Sequence, residues 1–289
     1  MIKSKGSRIG DWIIVLMCLM CILACLLPLM NILARSLSSA DALVKNEVLL
    51  FPVELNFEAY TTVLGDSKVT WALLWTAILT AIVTVWSMFM TILCAYPLTY
   101  DNLKGKKIIM AFIIFTMYFS AGIVPTYLLL KELYLLNNPL VLILPGSISV
   151  FNVIIMRSFF FAIPDSLRES AELDGAGPLR VLVSIYLPLS LPVLATLSLF
   201  YAVGRWNGFS DALMFMNDRT YFPIQLLLYN ILNSISSVEV ATQEGFSNPG
   251  LSQSIKAATV VFATVPILLV YPWLQRYFIS GVTIGAVKG

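Results

Sequence analysis

The chain has 289 residues, 59% of them hydrophobic and only 12% charged, with a net charge of +2 and a mean hydropathy of +0.87. Soluble domains carry about 25% charged residues, so this composition excludes an ordinary globular protein and describes an integral membrane protein. The small, scattered positive charge provides no nucleic-acid surface, and the absence of histidine removes His-based catalysis, the usual proton relay and the commonest metal ligand.

Lys3, Lys5 and Arg8 precede an apolar run over residues 12–33, long enough for a bilayer crossing and longer than a signal-peptide core. Cys18, Cys21 and Cys25 share one face of this helix, and Cys94 lies in the next apolar stretch. Such positions suit helix contacts and predict neither disulfides nor a bound metal. Residues 34–69 form a mixed polar loop with Glu47, Glu54, Glu58 and Asp66. A second span is expected over 70–98, followed by a basic turn with Lys104, Lys106 and Lys107. A third span covers 108–130 and a fourth 139–162. After a polar island at 164–192, a fifth span begins at 191 and runs to 215, and a sixth covers 257–277.

Charge placement orients this six-helix layout. The segments on the N-terminal side hold Lys3, Lys5, Arg8, Lys104, Lys106, Lys107, Arg157, Arg168, Arg180, Arg276 and Lys288. The opposite segments, longer in total, hold Arg35, Lys45, Lys68, Lys131, Arg219 and Lys256. The excess places both termini and the polar island in the cytoplasm. The expected fold is therefore all-α, with six transmembrane helices, N-in and C-in, and a cytoplasmic helix-turn-helix loop between helices 4 and 5. Gly122 with Pro125, Pro145 with Gly146, Gly204 with Gly208, and Pro266 with Pro272 interrupt four spans; such breakers suit either a gated pathway or ordinary kinks. There is no internal repeat of the kind found in secondary transporters with inverted halves.

The island carries Asp165, Arg168, Glu169, Glu172, Asp174 and Arg180. Pro164 can open a short helix, Ser166 and Glu169 have capping-box spacing, and Gly175 can end the helix in the left-handed conformation. Pro178 then starts a second helix reaching Leu187. Ser170, Ala171, Gly175 and Ala176 are small enough for a partner to approach closely, and Glu169, Glu172 and Asp174 would suit a basic rim on it.

Glu169-Ser170-Ala171, three residues, Gly175, nine residues, then Ile185-Tyr186-Leu187-Pro188 resembles the E-A-A-x3-G-x9-I-x-L-P loop of ABC importer permeases, with Ser170 replacing the middle alanine. Further stretches are similar to the maltose-type carbohydrate importers, most of all the branch handling oligosaccharides and polysaccharide fragments. These are Ile123 to Tyr127, Phe151-Asn152-Val153 with Met156-Arg157, Trp206-Asn207, and the tail segments at 271–278 and 285–289. The resemblance implies a single permease domain over 1–289, with its core at 70–280 and a coupling loop at 163–190. It implies a multi-pass protein of the bacterial cytoplasmic membrane that pairs with a second permease, two ATPase subunits and an extracellular solute-binding protein. Glu169, Ser170, Ala171, Asp174, Gly175, Ile185, Leu187 and Pro188 would then be the ATPase-coupling residues, and the tail at 285–289 a second contact. No G-x-x-x-x-G-K-[ST] occurs, so the chain itself has no P-loop. No catalytic residue or cofactor is expected on it; ATP and Mg would be used by the ATPase.

Arg205-Trp206-Asn207-Gly208-Phe209-Ser210-Asp211 is the charged stretch inside a span. Two readings stay open: a sugar-facing patch built from Arg205, Trp206, Asn207 and Asp211, or an interfacial belt in which Arg205 snorkels and Trp206 anchors. On a regular helix Arg205 and Asp211 lie about 120° apart and do not face each other. Tyr127, Asn138 and Asn152 are further pathway candidates. The loop motif reports the engine and not the cargo, so a peptide, polyamine or phosphate ester is the alternative to a carbohydrate. A membrane-embedded enzyme lacks its nucleophile or metal cluster here.

Overall fold

The computed structural model describes residues 5–241, 250 and 253–269. It is 77% helix, with no strand among the described residues. The chain divides into two compact units. The first comprises the residues up to Thr70 with Leu227–Val265, the second Trp71–Leu226 with the residues from Pro266 onward.

The first unit opens with α1 (Lys5–Ser36). Over Gly10–Ser36 it is apolar on every side, and from Asp11 to Leu29 every residue is exposed, the pattern of a helix whose solvent is lipid; only its last turns, with Ala34 and Ser36, are buried. At its end the chain folds back through α2 (Ala40–Val44) and α3 (Glu58–Gly65). Ala34, Ala42, Leu43 and Val48 form a small core there. Ser38 Oγ stitches it by donating to Ala34 O (2.7 Å) and accepting from Val53 N (3.1 Å), and Ser39 Oγ caps α2.

In the second unit, α4 (Ser67–Ala95) spans about 44 Å at 1.5 Å per residue, enough for a bilayer. The next expected span, 108–130, is not one helix. It is α5 (Lys106–Tyr118) and α6 (Ile123–Glu132), bent by 114°. Pro125 has no N–H to continue the α5 ladder but fits the first turn of a new helix, and Gly122 takes the φ of +85° needed to start it. The expected fourth span shortens likewise. Residues Pro139–Leu142 form a 3-10 turn, Pro145 and Gly146 interrupt, and α7 (Val150–Phe161) starts only at a Ser149 cap.

The island becomes α8 (Asp165–Leu173), α9 (Pro178–Val181), a π-helical turn (Leu182–Tyr186) and α10 (Leu187–Leu189). The run extends past Leu187 because Leu187 N–H donates to Leu182 O, five residues back, and this wider turn accommodates Pro188, which has no N–H. The expected fifth span ends early: α11 (Leu191–Asn207) breaks at Gly208 and α12 (Ser210–Phe215) follows. α13 (Ile224–Ala241) was not foreseen, and α14 (Gln253–Leu269) starts before the expected 257. Residues 270–277 of the expected sixth span, and the tail segments at 271–278 and 285–289, lie outside the described residues. Among the described residues two helices, Gly10–Ser36 and Ser67–Thr99, are each long and apolar enough to cross a membrane alone; three bent pairs qualify only when their halves are joined.

The core that positions the island gathers Ala95, Tyr96 and Leu98 with Met156 and Phe160 of α7, Val181, Leu182 and Tyr186, and Val193 and Leu197 of α11. Tyr96, Phe160 and Tyr186 meet edge to face, with centroids 5.2, 5.4 and 6.3 Å apart, and each such pair is worth about 0.5–1.5 kcal/mol beyond burial. Below it, Arg157 Nε donates to Leu98 O (3.1 Å) and Lys106 Nζ to Asp101 Oδ1 (2.9 Å); Lys106 holds the Asp101 carboxyl below the usual carboxylate range. Phe160 is fully buried, so Phe160→Ala is expected to cost about 3–5 kcal/mol. Leu173, 89% exposed, is expected to tolerate Leu173→Ala without change. Thermal melting of the two variants in detergent checks the contrast.

Candidate functional site

Pro164, in extended backbone, starts α8, and Asp165 takes the first turn, where a carboxylate suits the helix dipole. Ser166 is therefore already helical and the expected capping box does not form. Arg168 ties the helix down: it pairs with Asp165 (3.0 Å) and Glu172 (3.9 Å), and its guanidinium lies 4.9 Å from the Tyr100 ring centroid. At the other end, Gly175 N–H donates to Glu172 O (3.0 Å) and Ala176 N–H to Ala171 O (2.9 Å), with Gly175 at φ +81°. This is the paired closure of a Schellman motif. The turn is held from beneath by Tyr96, whose hydroxyl donates to Pro178 O (2.9 Å) and shares a 2.6 Å hydrogen bond with Tyr100.

The motif residues fall into two sets. Glu169, Ser170, Asp174 and Gly175 are exposed, with Glu172 and Leu173 beside them. Ala171, Ile185 and Leu187 pack on the core, as does Ala176, so two of the small residues expected at a partner's surface face inward. The physical reason is the Schellman closure, which brings Ala176 back onto Ala171. Pro188 is exposed and acts on the backbone through the π-helical turn. At Gly175, among the described residues, no atom beyond its sequence neighbours lies within 4 Å of where a Cβ would stand. Its own fold asks for glycine only through φ, and the space in front of it is open. Neither Tyr96 nor Tyr100 was singled out from sequence; a pair of tyrosines four apart, at the polar end of an apolar helix, is the signal that could have found them.

The second candidate stretch differs from its expected geometry. Arg205 and Asp211 form a two-pronged ion pair, Nη1 to Oδ2 at 2.5 Å and Nη2 to Oδ1 at 3.1 Å. They meet because the helix is not regular between them: Gly208 is extended (φ −77°, ψ 128°) and turns α12 back. The guanidinium also donates to Gly208 O (2.7 Å) and Leu142 O (3.3 Å). Arg205 is buried, so it does not snorkel; it holds a helix break closed inside the protein. Gly208 leaves room for this, since a Cβ there would stand 3.0 Å from Gly204 O and 3.3 Å from Arg205 Nη2.

The other pathway candidates are dispersed. Trp206 is buried and lines a cavity of about 380 Å³ with Thr80, Thr84, Ala202 and Pro266. Asn207 is exposed. Tyr127 is half exposed, its ring 6.3 Å from Phe215, and Asn152 is buried on α7. Asn138 Oδ1 accepts from Leu140 N–H (3.0 Å) as a cap. Its neighbour Asn137, not foreseen, accepts from Asn217 N–H (2.9 Å) and Asp218 N–H (2.8 Å) and so fixes the segment after α12. Arg205 is buried while Asp211 is about a third exposed, so Asp211→Ala leaves a buried guanidinium without its carboxylate and is expected to cost about 1–3 kcal/mol, read as a fall in melting temperature. Asp218→Ala, which removes an exposed cap on Thr220 N–H, is expected to lower it less.

Residues 87–284 match the model of the family described as "Binding-protein-dependent transport system inner membrane component". The polygalacturonan/rhamnogalacturonan transport system permease protein YtcP of Bacillus subtilis (strain 168) is 40% identical, over 98% of this chain and 99% of its own length. Protein LplC of the same organism is 40% identical over 91% of this chain and 90% of its own. Among solved structures, a chain of a bacterial ABC transporter involved in the import of the acidic polysaccharide alginate superposes with a TM-score of 0.87 at 30% identity, covering 96% of this chain and 99% of that one. With its α8 turn built on the E-A-A spacing and the match running from α4 past α14, this chain belongs to the binding-protein-dependent transport system inner membrane components.

Proposed function

We propose that the chain is the permease subunit of an ATP-driven importer for oligosaccharides carrying uronic acids, working by alternating access in the bacterial cytoplasmic membrane. The observation that carries the coupling role is the exposed edge Glu169, Ser170, Asp174 and Gly175, on a helix closed by a Schellman turn and anchored through Arg168 and Tyr96. This edge is acidic, sterically open at Gly175, and continuous with the core of the second unit. In the proposed importer it is a cytoplasmic helix-turn-helix within the 163–190 loop, docked on one of two ATPase subunits that bind and hydrolyse ATP with Mg. The permease itself holds no cofactor. A second permease completes the pathway, and an extracellular solute-binding protein delivers the cargo.

The carbohydrate reading is supported by the relatives named for polygalacturonan, rhamnogalacturonan and alginate. These names are of carbohydrates, and the non-sugar alternative is set aside. In the proposed topology six spans run N-in and C-in through one domain over 1–289 with its core at 70–280: α1, α4, the α5–α6 pair, α7 with its approach, α11, and α14. Asn207, Trp206 and Tyr127 remain the proposed pathway residues, with Asn152 and the Arg205–Asp211 pair supporting the wall.

Two experiments test this. In a cysteine-free background, Leu173→Cys is expected to react with an impermeant maleimide only from the cytoplasmic side and Lys45→Cys only from outside; the reverse pattern would overturn the orientation. In the assembled transporter, Gly175→Ala is expected to cost about 1–2 kcal/mol through its left-handed φ alone. Gly175→Trp and Glu169→Lys should abolish uptake while the permease still inserts. Normal uptake in both would sink the docking role.

A further inference from the structure

At the end of α1 a cleft of about 350 Å³ opens between that helix and the start of α14, wholly within the first unit. Asn31 and Arg35 line it from α1, Gln253 and Lys256 from α14, and Ile32 and Val260 form its apolar wall. Arg35 Nη2 donates to Gln253 Oε1 at 2.7 Å, which orients the guanidinium and sets the two helix ends at one level.

That level has the charge pattern of a membrane surface. Between Asp11 and Arg35 α1 carries no charge, a distance of about 36 Å that matches the hydrocarbon core with a margin for tilt. Beyond Lys256 the described part of α14 is uncharged to Leu269. Each helix thus leaves the apolar layer at a cation, and both cations line one cleft. Immediately below, Leu29 and Leu33 of α1 are exposed, as is the helix from Asp11 to Leu29. The cleft therefore has a dibasic, amide-flanked head and an apolar wall that continues onto a lipid-facing helix.

We propose that this cleft binds the phosphate of an anionic phospholipid, Arg35 and Lys256 meeting the charge and Asn31 and Gln253 flanking it, while the acyl chains run past Ile32 along the uncovered side of α1. A guanidinium with an ammonium suits a phosphate diester, and cations at headgroup depth draw anionic lipid. A sugar carboxylate shares the charge but not the need for the apolar wall. The site shares no residue with the α8 edge, so it stands or falls independently of the docking role.

The test uses the full chain with its co-purifying subunits in nanodiscs of phosphatidylcholine with and without phosphatidylglycerol, reading retained lipid by native mass spectrometry. Phosphatidylglycerol is expected to be retained in preference to phosphatidylcholine, and to survive excess inorganic phosphate and oligogalacturonate. The double variant Arg35→Gln/Lys256→Gln is expected to lower that retention by about 10- to 30-fold, and Arg35→Lys/Lys256→Arg to preserve it. Should the double variant not accumulate, Lys256→Gln alone is expected to give about a fivefold loss. Equal retention of the two lipids, or unchanged retention in the glutamine variants, overturns the proposal. Displacement by inorganic phosphate would make it a free-anion site, and displacement by oligogalacturonate a carbohydrate site; either result also overturns it.

Discussion

Hydrocarbon offers the backbone no hydrogen bonds, and this constraint governs every irregular point of the structure. A soluble protein can break a helix and let water take the freed groups. Here three of the breaks are closed by the chain's own side chains. At the α5–α6 bend Thr126 Oγ1 donates to Gly122 O (2.8 Å) and Ser120 Oγ accepts from Gly122 N–H (3.3 Å). Before α7, Ser147 Oγ donates to Leu144 O (2.7 Å) and Tyr201 OH accepts from Ser149 N–H (3.1 Å). At the α11–α12 break Arg205 covers Gly208 O and Leu142 O. The chain contains no histidine and few charges, yet it places an arginine in its interior, because no smaller group reaches two carbonyls and a carboxylate at once.

Seen this way, the E-A-A spacing is as much a packing motif as a recognition motif. Among the described residues its outward residues, Glu169, Ser170, Asp174 and Gly175, touch nothing that would require their identities, apart from the φ of Gly175. Its inward residues, Ala171, Ile185 and Leu187, must be small or apolar to seat the turn on Tyr96, Phe160 and Tyr186. The replacement of the middle alanine by Ser170 falls in the outward set, where a hydroxyl is solvated and costs the fold nothing.

How much of this was legible in the residues depends on which force set each feature. The first two spans follow from hydropathy alone, and the observed helices agree closely with the expected 12–33 and 70–98. The Gly175 turn was legible because a left-handed closure has a local signature. The breaks at Gly122 and Gly208 were visible as breakers, but hydropathy carries no direction, so both were drawn through as continuous spans. That error hid the Arg205–Asp211 pair, since six residues on an ideal helix point apart. Tyr96 and Asn137 were missed for another reason: each works by bonding to backbone that is distant in sequence, which no local pattern reports. α13 was lost because Ile224–Ala241 mixes apolar and polar residues too evenly to rise as a span.

The arrangement around Tyr96 also bears on how a push on α8 could travel. Coupling between distant sites needs a contiguous, stiff element, and mere proximity does not supply one. Arg168 joins α8 to Tyr100, and Tyr96 joins the turn at Pro178 to the end of α4. The aromatic trio then joins α4, α7 and the segment leading to α11. α11 in turn ends at Arg205, which clamps the break before α12. In the proposed importer a displacement at the Glu169 edge would meet packed rings at one end and an ion pair at the other. Neither compresses, so the displacement has to appear as movement of whole helices. The softer points along that line are the breaks at Ser190 and Gly208, and these are where such motion would be taken up.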